Sequence, residues 1–346
     1  MKREYRILLA IAIVGIAVGG VYATNRYLLN PVKSGSPSNC SSQRLYSVTQ
    51  YVPSSQVSLA SLSSPTSLQV VAAENFWGSL ISQLGGTHTQ VLSIVSDPNA
   101  DPHEYSSNAD NARAIANANY VIVNGAGYDN WALGLINANK NPNRKVLNVA
   151  ELLGKKEGDN PHFWYGPAYV NQTVRQMYLD LVSIDKSDTP SAVTAYYAQQ
   201  YANLNVSLGS YNHRINVISQ NFAGTRVAAT ENIFQYLADA TRLNLISPPG
   251  FMKAVAEGND PAPADIIRFR TQLMSWNAPG NASVLVYNLQ TVTPLTQSLK
   301  AVAAQSCIPI VGVTETVQPA DVSFQDWMTS ELISLQNALN QQALGK

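Results

Sequence analysis

The chain has 346 residues, with 22 Lys+Arg against 22 Asp+Glu and a formal net charge of zero. That balance offers no basic field for a phosphate backbone and excludes nucleic acid as a partner. Hydrophobic residues make up 45%, with 17 Tyr and 5 Trp, which is enough for a large core and too much for wholesale disorder. Charged residues are only 13%, so solubility must rest on Ser, Thr, Asn and Gln.

Lys2, Arg3 and Arg6 precede an uncharged run from Ile7 to Ala23. Its length lies at the bottom of the membrane-spanning range, and Val21-Tyr22-Ala23 is an A-x-A-like end. Residues 1–30 therefore read as an export signal or a membrane anchor, and the basic side places everything after Asn30 outside the cytoplasm. No Cys follows the apolar run directly, so lipidation by that route is not expected. Cys40 and Cys307 are the two cysteines of the chain, and an oxidising exterior would allow one long-range disulfide between them, a pairing that sequence leaves open. Asn39, Asn171, Asn205 and Asn281 head glycosylation sequons, a pattern that chance also produces in an Asn- and Ser-rich chain. Residues 31–67, rich in Ser, Pro, Gln and Val, read as a stalk or linker.

From Leu68 the pattern alternates. Leu68 to Ala73 has strand length, and Phe76 to Leu84 has helical spacing that Gly85-Gly86 stops. Val91 to Val95, Tyr120 to Val123 and Lys145 to Val149 are further predicted strands, with a helix over Ala109 to Ala118. The same grammar returns in strands at Arg226 to Ala229, Leu243 to Ile246, Ser283 to Tyr287 and Ile308 to Val313. Helices are predicted between them at Ile233 to Ala240, Pro263 to Trp276 and Leu295 to Gln305. Such alternation predicts parallel sheets covered by helices. Between the halves, Tyr197, Tyr201, Leu204, Leu208 and Tyr211 recur at spacings of four and three, and Ile215 and Ile218 continue the stripe. One amphipathic helix from about Ser191 to Gln220, roughly 45 Å long, is predicted, with a break near Gly209 as the alternative. The fold class is α/β: two βα lobes joined by one long linking helix. The expected segments are an N-terminal lobe at 68–187, the linking helix at 188–220 and a C-terminal lobe at 221–346.

The four His of the chain are unequal. Asp101-Pro102-His103-Glu104-Tyr105 and Asn160-Pro161-His162-Phe163-Trp164 present a His after a Pro, which stiffens the turn before it. Two such copies suggest paired ligands, against the ordinary reading of two structural His. His88 and His213 lack that context and read as surface residues. Tyr105, Trp164, Tyr165, Phe234, Tyr236 and Trp327 read as core or cleft-wall aromatics rather than as a stacking platform.

These motifs resemble the metal-binding solute receptors of zinc and manganese ABC importers, the periplasmic zinc-uptake component A family. The likeness covers about Leu68 to Leu339 and rests on ADPHEYSSNADNARAIANANYVIVNGAGYDNWA, NPHFWYGP, ATENIFQYL and IPIVGVTETVQP. It implies a metal cleft between the lobes, with His103 and His162 as the first two ligands. Glu231, just before a phenylalanine-x-tyrosine helix, is implied as the third, although alone it would read as a carboxylate at a helix N-terminus. The fourth is Glu315 where the family usually has Asp, with Asp321 and Asp326 as alternatives. Two imidazoles and two carboxylates make a neutral site for a divalent transition metal, Mn2+ or Zn2+. No His lies from Glu104 to Pro161, where zinc importers of the family often carry a His-rich loop. The implied function is extracytoplasmic capture of the ion at the cell surface by a monomeric receptor, secreted or held to the membrane by its N-terminal segment. Delivery is to an ABC permease and its ATPase.

The alternatives are a surface adhesin or a metal-chelate receptor on the same fold, or, with less support, a secreted metallohydrolase. Chelate receptors line the cleft with Arg and aromatics rather than His and Glu. A hydrolase would keep an open coordination position and a general base, yet HExxH, G-x-S-x-G, a Walker A loop and a dinucleotide fingerprint are all absent. Gly125-Ala126-Gly127 resembles the last only superficially. No catalysis is expected.

Overall fold

Apolar, β-branched runs such as Tyr120–Val123 and Val284–Asn288 are buried at every position, as strands covered on both faces must be. The computed structural model describes residues 45–46, 67–97, 105–275 and 278–344. The apolar N-terminal run and His103 lie outside them. The described residues all fall within one compact unit.

In chain order, β1 (Leu45–Tyr46) and β2 (Leu68–Glu74) are followed by α1 (Asn75–Gly85), β3 (Thr89–Val95), α2 (Ala109–Asn117), β4 (Tyr120–Val123), α3 (Asn130–Ala138), β5 (Lys145–Asn148), α4 (Val149–Leu152) and α5 (Pro167–Ile184). Two helices, α6 (Pro190–Ser207) and α7 (Gly209–Asn221), lead to β6 (Arg226–Ala229), α8 (Gln235–Ala240), β7 (Asn244–Leu245), α9 (Pro249–Ala256) and α10 (Pro263–Gln272). The chain closes with β8 (Val284–Asn288), α11 (Pro294–Gln305), β9 (Ile310–Val313) and α12 (Phe324–Leu344).

All strand pairs are parallel. One sheet has the order β3-β2-β4-β5 and the other β1-β9-β8-β6-β7. In each the order reverses about its first long strand, between β2 and β4 and between β6 and β8. That reversal opens a crevice at the carboxyl ends of the strands. Within the stretch read as a stalk, Leu45 and Tyr46 pair with Ile310 and Val311 and extend the second sheet.

The long linking helix is present with a single-residue interruption. Leu208 stays in the right-handed helical region, its N–H reaches the Leu204 carbonyl at 2.9 Å, and its carbonyl accepts from Asn212 at 3.0 Å. Tyr197, Leu204, Leu208, Tyr211, Ile215 and Ile218 form its buried stripe and join residues of both sheets in one core. Helices α3, α4, α5, α9 and α12 are additional to the elements read from the sequence, and α4 takes Val149 from the end of the predicted strand. α12 packs against α7 and also reaches α1 and β9.

His88 departs from the surface reading. It is a quarter exposed, its Nδ1 lies 2.7 Å from Asp185 Oδ2, and its ring stacks on Tyr196 at 3.8 Å. His213 is exposed. Cys307 is disulfide-bonded, and the sequence holds one other cysteine, Cys40, which lies outside the described residues. Among the described residues no helix is long and apolar enough to cross a membrane.

Candidate metal centre

The residues singled out by sequence stand at strand ends and in the loops that follow. Glu231 comes two residues after β6, Glu315 two after β9, and His162 opens a short 3-10 turn, Phe163–Tyr165, that leads into α5. Pro161 and Pro167 bracket that turn. The Phe163 N–H bonds to the Pro161 carbonyl at 2.7 Å and the Tyr165 N–H to the His162 carbonyl at 3.1 Å, which stiffens the ring's mount. His162, Glu231 and Glu315 are all fully buried.

His162 and Glu315 are brought together, with Nε2 3.9 Å from Glu315 Oε2. Asn160 fixes the imidazole tautomer. Its Nδ2 donates to the Asn232 carbonyl at 2.7 Å, so its Oδ1 is the acceptor that lies 2.7 Å from His162 Nδ1. Nδ1 must therefore carry the proton, and the lone pair of the neutral ring is on Nε2, the nitrogen nearest Glu315. Tyr128 forms one wall, edge-on to the ring at 6.2 Å, and Trp164 another at 5.2 Å.

Glu315 is held at both oxygens. Tyr128 donates to Oε2 at 2.7 Å, and Asn288 Nδ2 donates to Oε1 at 2.8 Å with Thr291 Oγ1 at 3.4 Å. The backbone N–H groups of Glu315 and Thr316 both reach Gln290 Oε1, at 2.7 and 3.0 Å, which sets the turn. Of the alternatives to Glu315, Asp321 is exposed and Asp326 accepts from the Ser323 hydroxyl at 2.7 Å in the first turn of α12. Glu231 sits beside Asn232, whose carbonyl is tied to Asn160, and Tyr236 donates to the Asn160 carbonyl at 2.8 Å. No three His, Cys, Asp or Glu side chains close to metal-ligand geometry among the described residues. Through its neighbour Asn232, Glu231 adjoins the loop network of His162. Two ligand atoms about 2.1 Å from one tetrahedral ion lie roughly 3.4 Å apart, so the 3.9 Å pair needs only a small approach to share an ion.

Several residues of this network had no site role in the sequence reading: Tyr128, Asn160, Asn288 and Gln290. Tyr128 is carried by the Gly125-Ala126-Gly127 turn, set aside above as a weak glycine motif. Its three residues have φ of 77, 55 and 90°. The Asp129 carboxylate closes the turn by accepting from the Asn124 and Gly125 N–H groups at 2.6 and 2.8 Å. Glu74, fully buried at the end of β2, faces Asp129. Burial and the Asp129 charge push its carboxyl well above the usual range. Burial raises Asp129 too, against its backbone hydrogen bonds. The available signal was position, since Asn288 ends β8, Gln290 comes two residues later and Tyr128 follows β4, where open sheets build sites.

Residues 70–338 match the family described as "Zinc-uptake complex component A periplasmic". The chain belongs to this family. Its members are extracytoplasmic substrate-binding receptors for zinc and manganese. A manganese-binding lipoprotein, MntA, of Halalkalibacterium halodurans is 26% identical over 145 residues, 40% of this chain and 45% of that protein, so the match spans less than half of the relative. A manganese-bound periplasmic metal-binding protein from Candidatus Liberibacter asiaticus superposes with a TM-score of 0.62 at 14% identity, over 78% of this chain and 98% of that one. A laminin-binding adhesin (Lmb) from Streptococcus agalactiae does so at 0.61 and 16%, over 79% and 99%. At these identities the two structures speak for the zinc-uptake component fold alone.

Proposed function

We propose that this receptor captures one divalent first-row transition metal ion, manganese or zinc, in the crevice between its two sheets. It then delivers the ion to an ABC permease driven by a cytoplasmic ATPase. The observation that carries the reading is the fully buried His162–Glu315 pair, with Nε2 3.9 Å from Oε2 and the Nε2 lone pair fixed by Asn160. An imidazole so oriented beside a carboxylate is a mixed N/O donor set, which suits both metals. His103 and Glu231 complete the set, one from each side of the linking helix, so that the ion bridges both lobes.

The carboxylate count favours manganese by hardness, while intrinsic affinity ranks zinc at least as high. Residues 1–30 export the chain or hold it at the outer face of the membrane, and the receptor acts as a monomer without catalysis. Calorimetric titration of the metal-stripped protein with manganese and zinc at neutral pH tests the reading. Binding of one ion per chain, lost in His162→Gln and in Glu315→Gln, is the expected result. Undiminished binding in both variants would overturn it.

A further inference from the structure

Glu331 is an acidic residue buried to 1% exposure in the second turn of α12, outside every motif considered so far. Its Oε1 accepts from the Thr314 N–H at 2.9 Å, from Trp327 Nε1 at 3.0 Å and from Thr314 Oγ1 at 3.3 Å. Its Oε2 lies 2.7 Å from Tyr165 Oη. Thr314 immediately precedes Glu315, and Tyr165 ends the short turn that begins after His162. One carboxyl therefore touches both loops that carry the close pair, one from each side of the linking helix.

The phenol sets the proton count. Tyr165 Oη lies 2.7 Å from Glu331 Oε2 and also 2.8 Å from the Thr314 carbonyl. It has a single proton and cannot donate to both. If Glu331 is a neutral acid, its O–H donates to Tyr165 Oη and Tyr165 donates to the Thr314 carbonyl. Both Tyr165 contacts are then hydrogen bonds. Burial pushes the Glu331 carboxyl up to about 7, against contacts with Tyr165, Thr314 and Trp327 that favour its ionised form. The same burial, with the Glu331 charge next, raises Tyr165 well above its ordinary value, so the phenol stays protonated.

We propose that Glu331 is a positioning residue of the metal site, whose buried carboxyl group clamps the Thr314–Glu315 turn to the His162–Tyr165 turn through the Tyr165 hydroxyl. The inference rests on the metal-receptor reading and deepens it. Metal capture needs Nε2 and Oε2 to come a few tenths of an ångström closer and stay there. A bracket at the neighbouring residues of both loops limits how far the pair can part. Asn75 adds a second tie on the far side of Glu315, where its Nδ2 donates to the Val317 carbonyl at 3.2 Å and its Oδ1 accepts from the Val317 N–H at 2.9 Å.

The test uses cobalt(II) as the metal probe on the full folded receptor, reading both affinity and the visible ligand-field spectrum. Glu331→Gln keeps an acceptor for Thr314 and Trp327 and a donor for Tyr165, so it should bind cobalt within about twofold of wild type with the same spectrum. Glu331→Leu leaves the Thr314 N–H without its acceptor in a buried place and cuts the link to Tyr165. It should bind about tenfold more weakly, with altered band intensity. Should Glu331→Leu fail to fold, Tyr165→Phe removes the same link and carries the same expectation. Wild-type affinity and spectrum in the folded Leu variant, or in Tyr165→Phe, overturn the proposal, as does a Gln variant as weak as the Leu one. Loss of binding in His162→Gln and Glu315→Gln is measured alongside. If those losses persist while Glu331 proves silent, the clamp is wrong and the receptor reading stands.

Discussion

Replacing Asn160 by Ala isolates what orients the His162 ring. The change removes the acceptor of His162 Nδ1 at 2.7 Å, a second contact from the His162 N–H at 3.2 Å, and the bond to the Asn232 carbonyl at 2.7 Å. Leaving the Nδ1–H of a fully buried imidazole without an acceptor costs about 1–3 kcal/mol, and each 1.4 kcal/mol is roughly tenfold in affinity. Asn160 itself is only half-buried, so water can enter the vacated volume and restore part of the loss. The expected result is zinc affinity about tenfold weaker in Asn160→Ala, at the low end of the range for residues that orient metal-binding His. Asn160→Asp keeps an acceptor at Nδ1, makes the ring more basic, and loses only the bond to Asn232. It should stay within about threefold of wild type. Calorimetric titration of the metal-stripped variants at neutral pH reads both numbers. An Ala variant within twofold of wild type would refute the tautomer assignment and with it the claim that Nε2 is the donor atom.

Other expectations concern the frame around the site. Burial raises the Asp185 carboxyl, but hydrogen bonds from Ser187, His88 and Tyr197 outweigh it and hold the pKa at about 2. A depressed folded-state value means stability that is present above the ordinary value of 3.8 and lost as pH falls toward 2. Asp185→Asn should lower the melting temperature at pH 7 by several degrees, and the gap to wild type should close near pH 2. Glu74 has the opposite sign: its pKa is raised, so its stabilising protonated form is lost as pH rises through the folded value. Glu74→Gln, still able to donate to Asp129, should match wild type within about 0.5 kcal/mol at pH 7 by denaturant unfolding and outlast it in alkali; a large loss at neutral pH would mean that Glu74 is ionised. Gly125 has φ of +77°, and a Cβ there would lie 2.2 Å from Asn148 Oδ1 and 2.8 Å from the Ala150 Cβ. Gly125→Ala should cost about 1–3 kcal/mol in denaturant unfolding and weaken metal binding by moving Tyr128; wild-type behaviour in both would contradict the role given to the turn.

How far the sequence could be read depended on how local each signal was. β4 was legible to the residue because Tyr120–Val123 is a β-branched run buried on both faces, and the linking helix because its apolar stripe keeps one period. α12 was not, because residues on nearly all its sides are buried; a helix surrounded by protein has no polar face to create a period. The two-residue β1 is too short to show alternation, and its partner lies 265 residues away. Leu208 interrupts the linking helix without any break in the stripe. His88 was misread because its partner, Asp185, is 97 positions distant.

The sequence by itself determined the alternating α/β grammar, the uncharged N-terminal run, the paired Pro-His motifs and the family. Periodicity, turn residues and motif spacing are properties of neighbours in the chain. Only the tertiary structure decided that Glu315 rather than Asp321 or Asp326 stands beside His162, that Asn160 fixes the ring's proton, and that Tyr128, Asn288 and Glu331 hold the two loops. Those outcomes are hydrogen bonds across separations such as the 187 residues from Tyr128 to Glu315 and the 166 from Tyr165 to Glu331. Their strength depends on burial and on angles between strand ends, which exist once both sheets have packed on one core and water has left the space between them.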